Sequence, residues 1–153
     1  MDHRHAISEL ICNSCSTLDD KQFGAYLELC DPAYNYKITA YSPEIRKDMT
    51  WLEQDKAGMQ SLFANLPKHN SDHSPLTRHV SVYTVRCDTD AQQAQVVSAL
   101  QVFRTSLDGG TTELFAVGKL HDLVRLTDAG PKLLAREVRL QTRMLGYGYH
   151  IPF

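Results

Sequence analysis

Three long strand-like runs in the second half of the chain limit the folds open to it more than any other feature. Residues 96–107, 111–127 and 133–145 are separated only by Asp108-Gly109-Gly110 and by Asp128-Ala129-Gly130-Pro131 with Lys132. Both junctions are turn signals, too short for anything but a direct reversal. A fourth run, 79–87, is rich in Val, Thr and Tyr and precedes them. Consecutive strands joined this way form an antiparallel meander, which must bury one of its faces. The first half reads mainly as helices that can cover that face. Segregation of helices and strands points to an α+β fold rather than alternating βαβ units.

In that first half, residues 7–17 suit a short first helix. Asp19 is placed as an N-cap with Gln22 at the capping-box position. Phe23, Tyr26, Leu27 and Cys30 then share a helical face that stops before Pro32. Residues 34–41 alternate and predict a strand. Ser42-Pro43-Glu44 has the chemistry of a helix start. The stripe Ile45, Met49, Leu52, Met59, Leu62, Phe63, Leu66 predicts about six turns closing at Pro67. A polar loop, 69–75, leads to the strands. The whole, 1–153, reads as one domain, with 1–18 as an N-terminal helix and 146–153 as an aromatic tail.

A length of 153 residues supplies one sizeable core, and 42% hydrophobic with 22% charged residues is a globular balance. A net charge of −2 argues against a nucleic-acid or membrane-surface footprint. No apolar run approaches the ~20 residues of a membrane span. Met-Asp-His-Arg-His lacks the apolar core of a signal peptide, so the expectation is cytoplasmic. Cys12, Cys15, Cys30 and Cys87 are then expected to be reduced.

The order of helices, a strand, a long helix and a meander resembles the cone fold of nuclear transport factor 2, ketosteroid isomerase and scytalone dehydratase. Local pieces narrow this. Phe23-Gly-Ala-Tyr26-Leu-Glu-Leu-Cys-Asp31 with Tyr34, Pro75-Leu-Thr-Arg78-His79, Gly118-Lys-Leu-His-Asp122-Leu-Val-Arg125 and Ala135-Arg136-Glu-Val-Arg139 occur in one order. Together they resemble the small (beta) subunits of Rieske-type aromatic-ring-hydroxylating dioxygenases over residues 17–145. The compactness resembles the methanesulfonate monooxygenase small-subunit branch. The short acid run from Trp51 to Asp55, the compact loop before Arg78 and the ending Gly146 to Phe153 depart from the usual pattern. The resemblance implies a Rieske iron-sulfur cluster and a mononuclear iron on the large alpha subunit, with no cofactor or metal on this chain. It also implies an assembly of three large and three small chains, with a trimer of small subunits. The role so implied is non-catalytic support of the large subunit.

The motifs are compatible with that role. A Rieske centre needs paired Cys and His ligands, and no cysteine here has a histidine two or three residues on. Cys12-Asn-Ser-Cys15 lacks the second pair of a zinc site and suits two packing residues on one helix face. His69, Asp72, His73 and His79 have the residue types of an iron site, but 69–73 fall in a proline-bounded polar loop and His79 opens the next strand. His3 and His5 stand near the N-terminus.

Relatives of the cone fold that are enzymes, isomerases and dehydratases, place an acid or base between sheet and helices. Tyr26, Asp31, Trp51, His79, His121 and Asp122 are the residues able to do so here. His121 and Asp122 are strand neighbours and face opposite sides. With Leu120 and Val124 inward, Asp122 is inward too and needs a cationic partner. Arg125 faces away, so Arg136 or Arg139 is the expected partner. Arg136, Arg139, Arg143 and Glu137 give the last strand a charged character suited to solvent or to a subunit contact. Tyr147, Tyr149 and Phe153 suit either an interface anchor or a return into the core. The alternatives to a structural subunit are therefore a stand-alone isomerase or dehydratase and a small-ligand-binding protein.

Overall fold

The computed structural model describes residues 3–69, 73–142 and 152–153. Among them the chain forms α1 (Arg4–Asp19), α2 (Phe23–Glu28), β1 (Cys30–Ser42), β2 (Lys47–Asp55), α3 (Lys56–His69), β3 (Leu76–Asp88), β4 (Gln93–Thr105), β5 (Thr112–Thr127) and β6 (Gly130–Leu140). The strands make a single sheet in the order β2-β1-β6-β5-β4-β3. β3 to β6 are the expected antiparallel meander. β1 then lies parallel to β6, between β6 and β2. Gly109 and Gly110 take left-handed φ values of 81° and 69° in the β4–β5 turn, which glycine adopts without steric cost. Register shifts at Ile38/Thr39, Val82/Thr84, Val102/Phe103 and Leu123/Val124 add local bends to the sheet.

One face of the sheet is the core. Alternate residues point into it: Tyr34, Tyr36, Ile38 and Ala40 from β1, Ala94, Val96, Leu100 and Val102 from β4, and Leu120 and Val124 from β5. Ile7, Leu10, Ile11, Ser14, Cys15 and Leu18 form the buried stripe of α1, at three- and four-residue spacing. α1 packs against β3 and β6, and α3 against β1 and β2. α2 is joined to α3 by parallel stacking of Phe23 on Phe63, with centroids 4.4 Å apart. No described helix is long and apolar enough to cross a membrane.

The first half departs from the sequence expectation in three places. Ser42-Pro43-Glu44 does not start a helix. Ser42 donates to Glu44 across a turn at 3.0 Å. The chain then reverses into β2, pairing Leu52 with Ile38 and Met49 with Ala40. Hydrogen-bond demand along β1 outweighs the local helix signal there, and Ile45 is exposed rather than core. α3 begins only after Asp55, whose carboxylate accepts the Gly58 N–H at 2.7 Å, and it continues past Pro67. Asp19 is the last residue of α1, not an N-cap of α2.

Candidate functional site

The interior holds a polar cluster built from α1, α2, β1, β5 and β6. Arg136 and Asp122 are opposite each other in the β5–β6 ladder, and both point inward. Arg136 Nε donates to Asp122 Oδ1 at 2.7 Å and Nη2 to Oδ2 at 3.1 Å. Nη2 also donates to Ser14 Oγ at 2.9 Å, and that hydroxyl donates to the Ile11 carbonyl at 2.6 Å. Ion pair and helix are thereby tied together. Burial works against the Arg136 charge, but Asp122 and its hydrogen bonds reverse this and hold the guanidinium protonated.

Tyr26 and Tyr34 share a hydroxyl–hydroxyl hydrogen bond of 2.6 Å, with both side chains fully buried. Burial pushes both phenols up, more than the Arg136 charge lowers them. It likewise raises the Cys15 thiol and pushes Cys30 up to about 12. The tyrosines and thiols of this cluster therefore stay neutral near pH 7.

A second buried group lies farther along the sheet. Arg78 Nη1 donates to Asp19 Oδ1 at 2.8 Å, and the Arg78 amide bonds to the same carboxylate, tying β3 to the end of α1. Arg78 Nη2 donates to the Pro152 carbonyl at 2.7 Å. The Phe153 N–H donates to Tyr36 Oη at 2.8 Å, and the Phe153 ring lies 6.4 Å from Phe115.

The opposite face of the sheet carries no described helix. Asn35, Lys37, Gln95, Val97, His121, Leu123, Ala135 and Glu137 line an open depression of about 410 Å³. Glu137 is bonded by Thr39 at 2.9 Å and Arg139 at 2.8 Å. Burial alone would raise its carboxyl, but these bonds bring it below the usual range. His121 is lowered by partial burial and then by Arg139.

The six candidate residues are thus dispersed. Tyr26 and Asp122 lie inside. His121 is on the uncovered face. His79 is exposed on β3, 5.1 Å from the Phe103 ring. Asp31 opens β1, accepting the Ala33 N–H at 2.9 Å and facing Arg125 Nε at 3.5 Å. Trp51 is exposed on β2. The expectation that Asp122 is inward with Arg136 or Arg139 as partner is met by Arg136.

The last strand is not one charged face, since Arg136 is buried while Glu137 and Arg139 point the other way. Arg143 lies outside the described residues. Cys12 and Cys15 do not share an environment: the first is exposed and the second buried. Asp72, Tyr147 and Tyr149 also lie outside the described residues, and His73 is exposed. Phe153 returns into the core. Among the described residues, no group of three or more His, Cys, Asp or Glu side chains is placed to hold a metal ion. Sequence reasoning missed Arg78, Asp19 and Tyr36 as a group. Only the inward parity of Arg78, between Leu76 and Val80, hinted at it.

A family model described as "Ring hydroxylating beta subunit" matches residues 14–146. The chain belongs to the ring-hydroxylating beta-subunit family. The hydroxylase beta subunit of methanesulfonate monooxygenase from Methylosulfonomonas methylovora is 39% identical, over 99% of this chain and 87% of that protein. The beta subunit of 2-aminobenzenesulfonate 2,3-dioxygenase from an Alcaligenes species is 30% identical, over 96% and 97%. In fold, the chain is similar to the crystal structure of the beta subunit of a putative aromatic-ring-hydroxylating dioxygenase from Novosphingobium aromaticivorans. The TM-score is 0.80 at 19% identity, covering 97% of this chain and 95% of that one. The cone expected from the sequence is the fold observed, shared by beta subunits and by nuclear transport factor 2-like proteins. The Arg136–Asp122 pair falls in two of the four segments on which the resemblance rested.

Proposed function

We propose that this chain is the non-catalytic small subunit of a multicomponent Rieske oxygenase and supports assembly of a large catalytic subunit. The observation that carries the reading is the family match across residues 14–146. The dispersal of Tyr26, Asp31, His79, His121 and Asp122 supports it, because general acid–base work needs its groups converging on one substrate. The alternative of a stand-alone isomerase or dehydratase draws no support from that arrangement.

In this reading the Rieske cluster and mononuclear iron belong to the large subunit. Three large and three small chains assemble in the cytoplasm, around a trimer of small subunits. Two relatives are named for methanesulfonate and 2-aminobenzenesulfonate, so the proposed substrate of the whole enzyme is an organosulfonate bound on the large chain. Glu137 and Arg139, on the uncovered sheet face, are offered as subunit contacts.

Co-expression with a large Rieske subunit, followed by light scattering and iron analysis, tests this. The expected result is a mixed hexamer whose iron stays entirely with the large chain when the two are separated. A chain that binds no Rieske partner and by itself isomerises or dehydrates a ring substrate overturns it.

A further inference from the structure

The two atoms that Arg78 and Tyr36 hold belong to the same peptide group. Arg78 Nη2 donates to the Pro152 oxygen at 2.7 Å, and the nitrogen of that same amide, Phe153 N, donates to Tyr36 Oη at 2.8 Å. The Tyr36 hydroxyl also reaches the Phe153 carbonyl at 3.3 Å. An amide is thus read at both ends, its acceptor by a guanidinium and its donor by a phenol. The attached ring is buried near Phe115 and is only 1% exposed.

The reading groups are fixed from outside the amide. Asp19 holds Arg78 Nη1 at 2.8 Å, with the Arg78 side chain 1% exposed. Tyr36 is fully buried in the middle of β1, beside Tyr34 at 6.5 Å between ring centroids. Asp19 lies against the Arg78 charge, and the Nη2 N–H meets a neutral carbonyl oxygen. The hydrogen bonds engage the peptide group between Pro152 and Phe153 and not the Pro152 ring. The chemistry recognised is a secondary amide whose nitrogen carries an arylethyl group.

We propose that Arg78, Tyr36 and Phe115 form a ligand site for aryl-bearing secondary amides, occupied in this structure by the chain's own Pro152–Phe153 unit. Phe153 is then a resident ligand that a free amide of the same shape can replace.

N-phenethylacetamide reproduces the carbonyl, the N–H and the phenyl at the same spacing and is the probe of choice. Phe153→Ala removes the ring that anchors the resident unit, and calorimetric titration of that full chain is expected to show binding at least tenfold tighter than to wild type, where the anchored Phe153 competes. N-methyl-N-phenethylacetamide lacks the donor to Tyr36, and propylbenzene lacks the amide; each is expected to bind at least tenfold more weakly than the probe. Equal binding of all three overturns the proposal in favour of an ordinary apolar cavity. A folded variant that binds none overturns it outright. If Phe153→Ala does not fold, wild type carries the test through hydrogen exchange of the Phe153 amide. The probe near its solubility limit is expected to speed that exchange, and an unchanged rate overturns the proposal. None of these results depends on a large subunit.

Discussion

Arg136 and Asp122 face one another across the β5–β6 ladder and meet in a two-point ion pair with neither side chain exposed to solvent. Such a pair is costly to break and cheap to replace, because breaking it strands a buried charge. Asp122→Asn is expected to cost about 3–5 kcal/mol in urea unfolding. The combined Arg136→Met, Asp122→Leu variant is expected to match or exceed wild-type stability. A double variant as unstable as Asp122→Asn would show that the charge is needed for more than its partner.

The Tyr26–Tyr34 bond joins two fully buried hydroxyls 2.6 Å apart. Removing either one by Tyr→Phe leaves the other without this partner and is expected to cost about 1–3 kcal/mol. Removing both should cost less than the two single losses together, as a double-mutant cycle by thermal or urea unfolding would measure.

Cysteine reactivity should divide two and two. Cys12 and Cys87 are exposed, whereas Cys15 and Cys30 are buried with their thiols raised by desolvation. Maleimide at pH 7 is expected to label the first pair in the native protein, and all four cysteines only after unfolding. Mass spectrometry of the labelled peptides reads this directly.

The pH dependence has a defined sign. His121 is held below its ordinary 6.5, so the unfolded chain takes up its proton first and stability falls as pH drops through 6.5. Glu137 is held below its ordinary 4.5, so its contribution is complete above that value and is lost as pH falls through its folded value. His121→Asn is expected to remove the upper decline and leave the lower one, as urea midpoints between pH 8 and 3 would show.

Gly118 sits where β5 passes β6 without room for a side chain. A Cβ there would run into the Arg139 carbonyl and come within 3.0 Å of the Leu140 Cα. Both are backbone and cannot swing aside, so Gly118→Ala is expected to destabilise by about 1–3 kcal/mol or more. Near-wild-type stability in urea would mean that the two strands can separate locally.

Most of the sheet was legible because turn residues and alternation are local. Asp108-Gly109-Gly110 fixed one reversal. The inward parity of Asp122 with Leu120 and Val124 named the side on which its partner had to lie. Residues 42–55 misled because Ser-Pro-Glu and the spacing of Ile45, Met49 and Leu52 satisfy helical rules locally. What overrides them is the unpaired edge of β1, which no window of that size contains. The interior site was half legible for the same reason. Tyr26 and Asp122 could be assigned from patterns on their own elements. Arg78–Asp19 and Tyr36–Phe153 join residues 59 and 117 positions apart, and periodicity does not encode such separations.

The parallel pairing of β1 with β6 sets an order of events during synthesis. Thr39 finds its neighbour Arg139 only when about a hundred further residues have been made, which is the long loop closure that slows sheet formation. Until then a nascent chain holds α1, α2 and β1 beside an incomplete sheet, with the apolar stripe from Ile7 to Leu18 lacking its seat on β6. Synthesis of β6 is therefore the step that lets the β1–β2 hairpin join β3, β4 and β5 in one sheet.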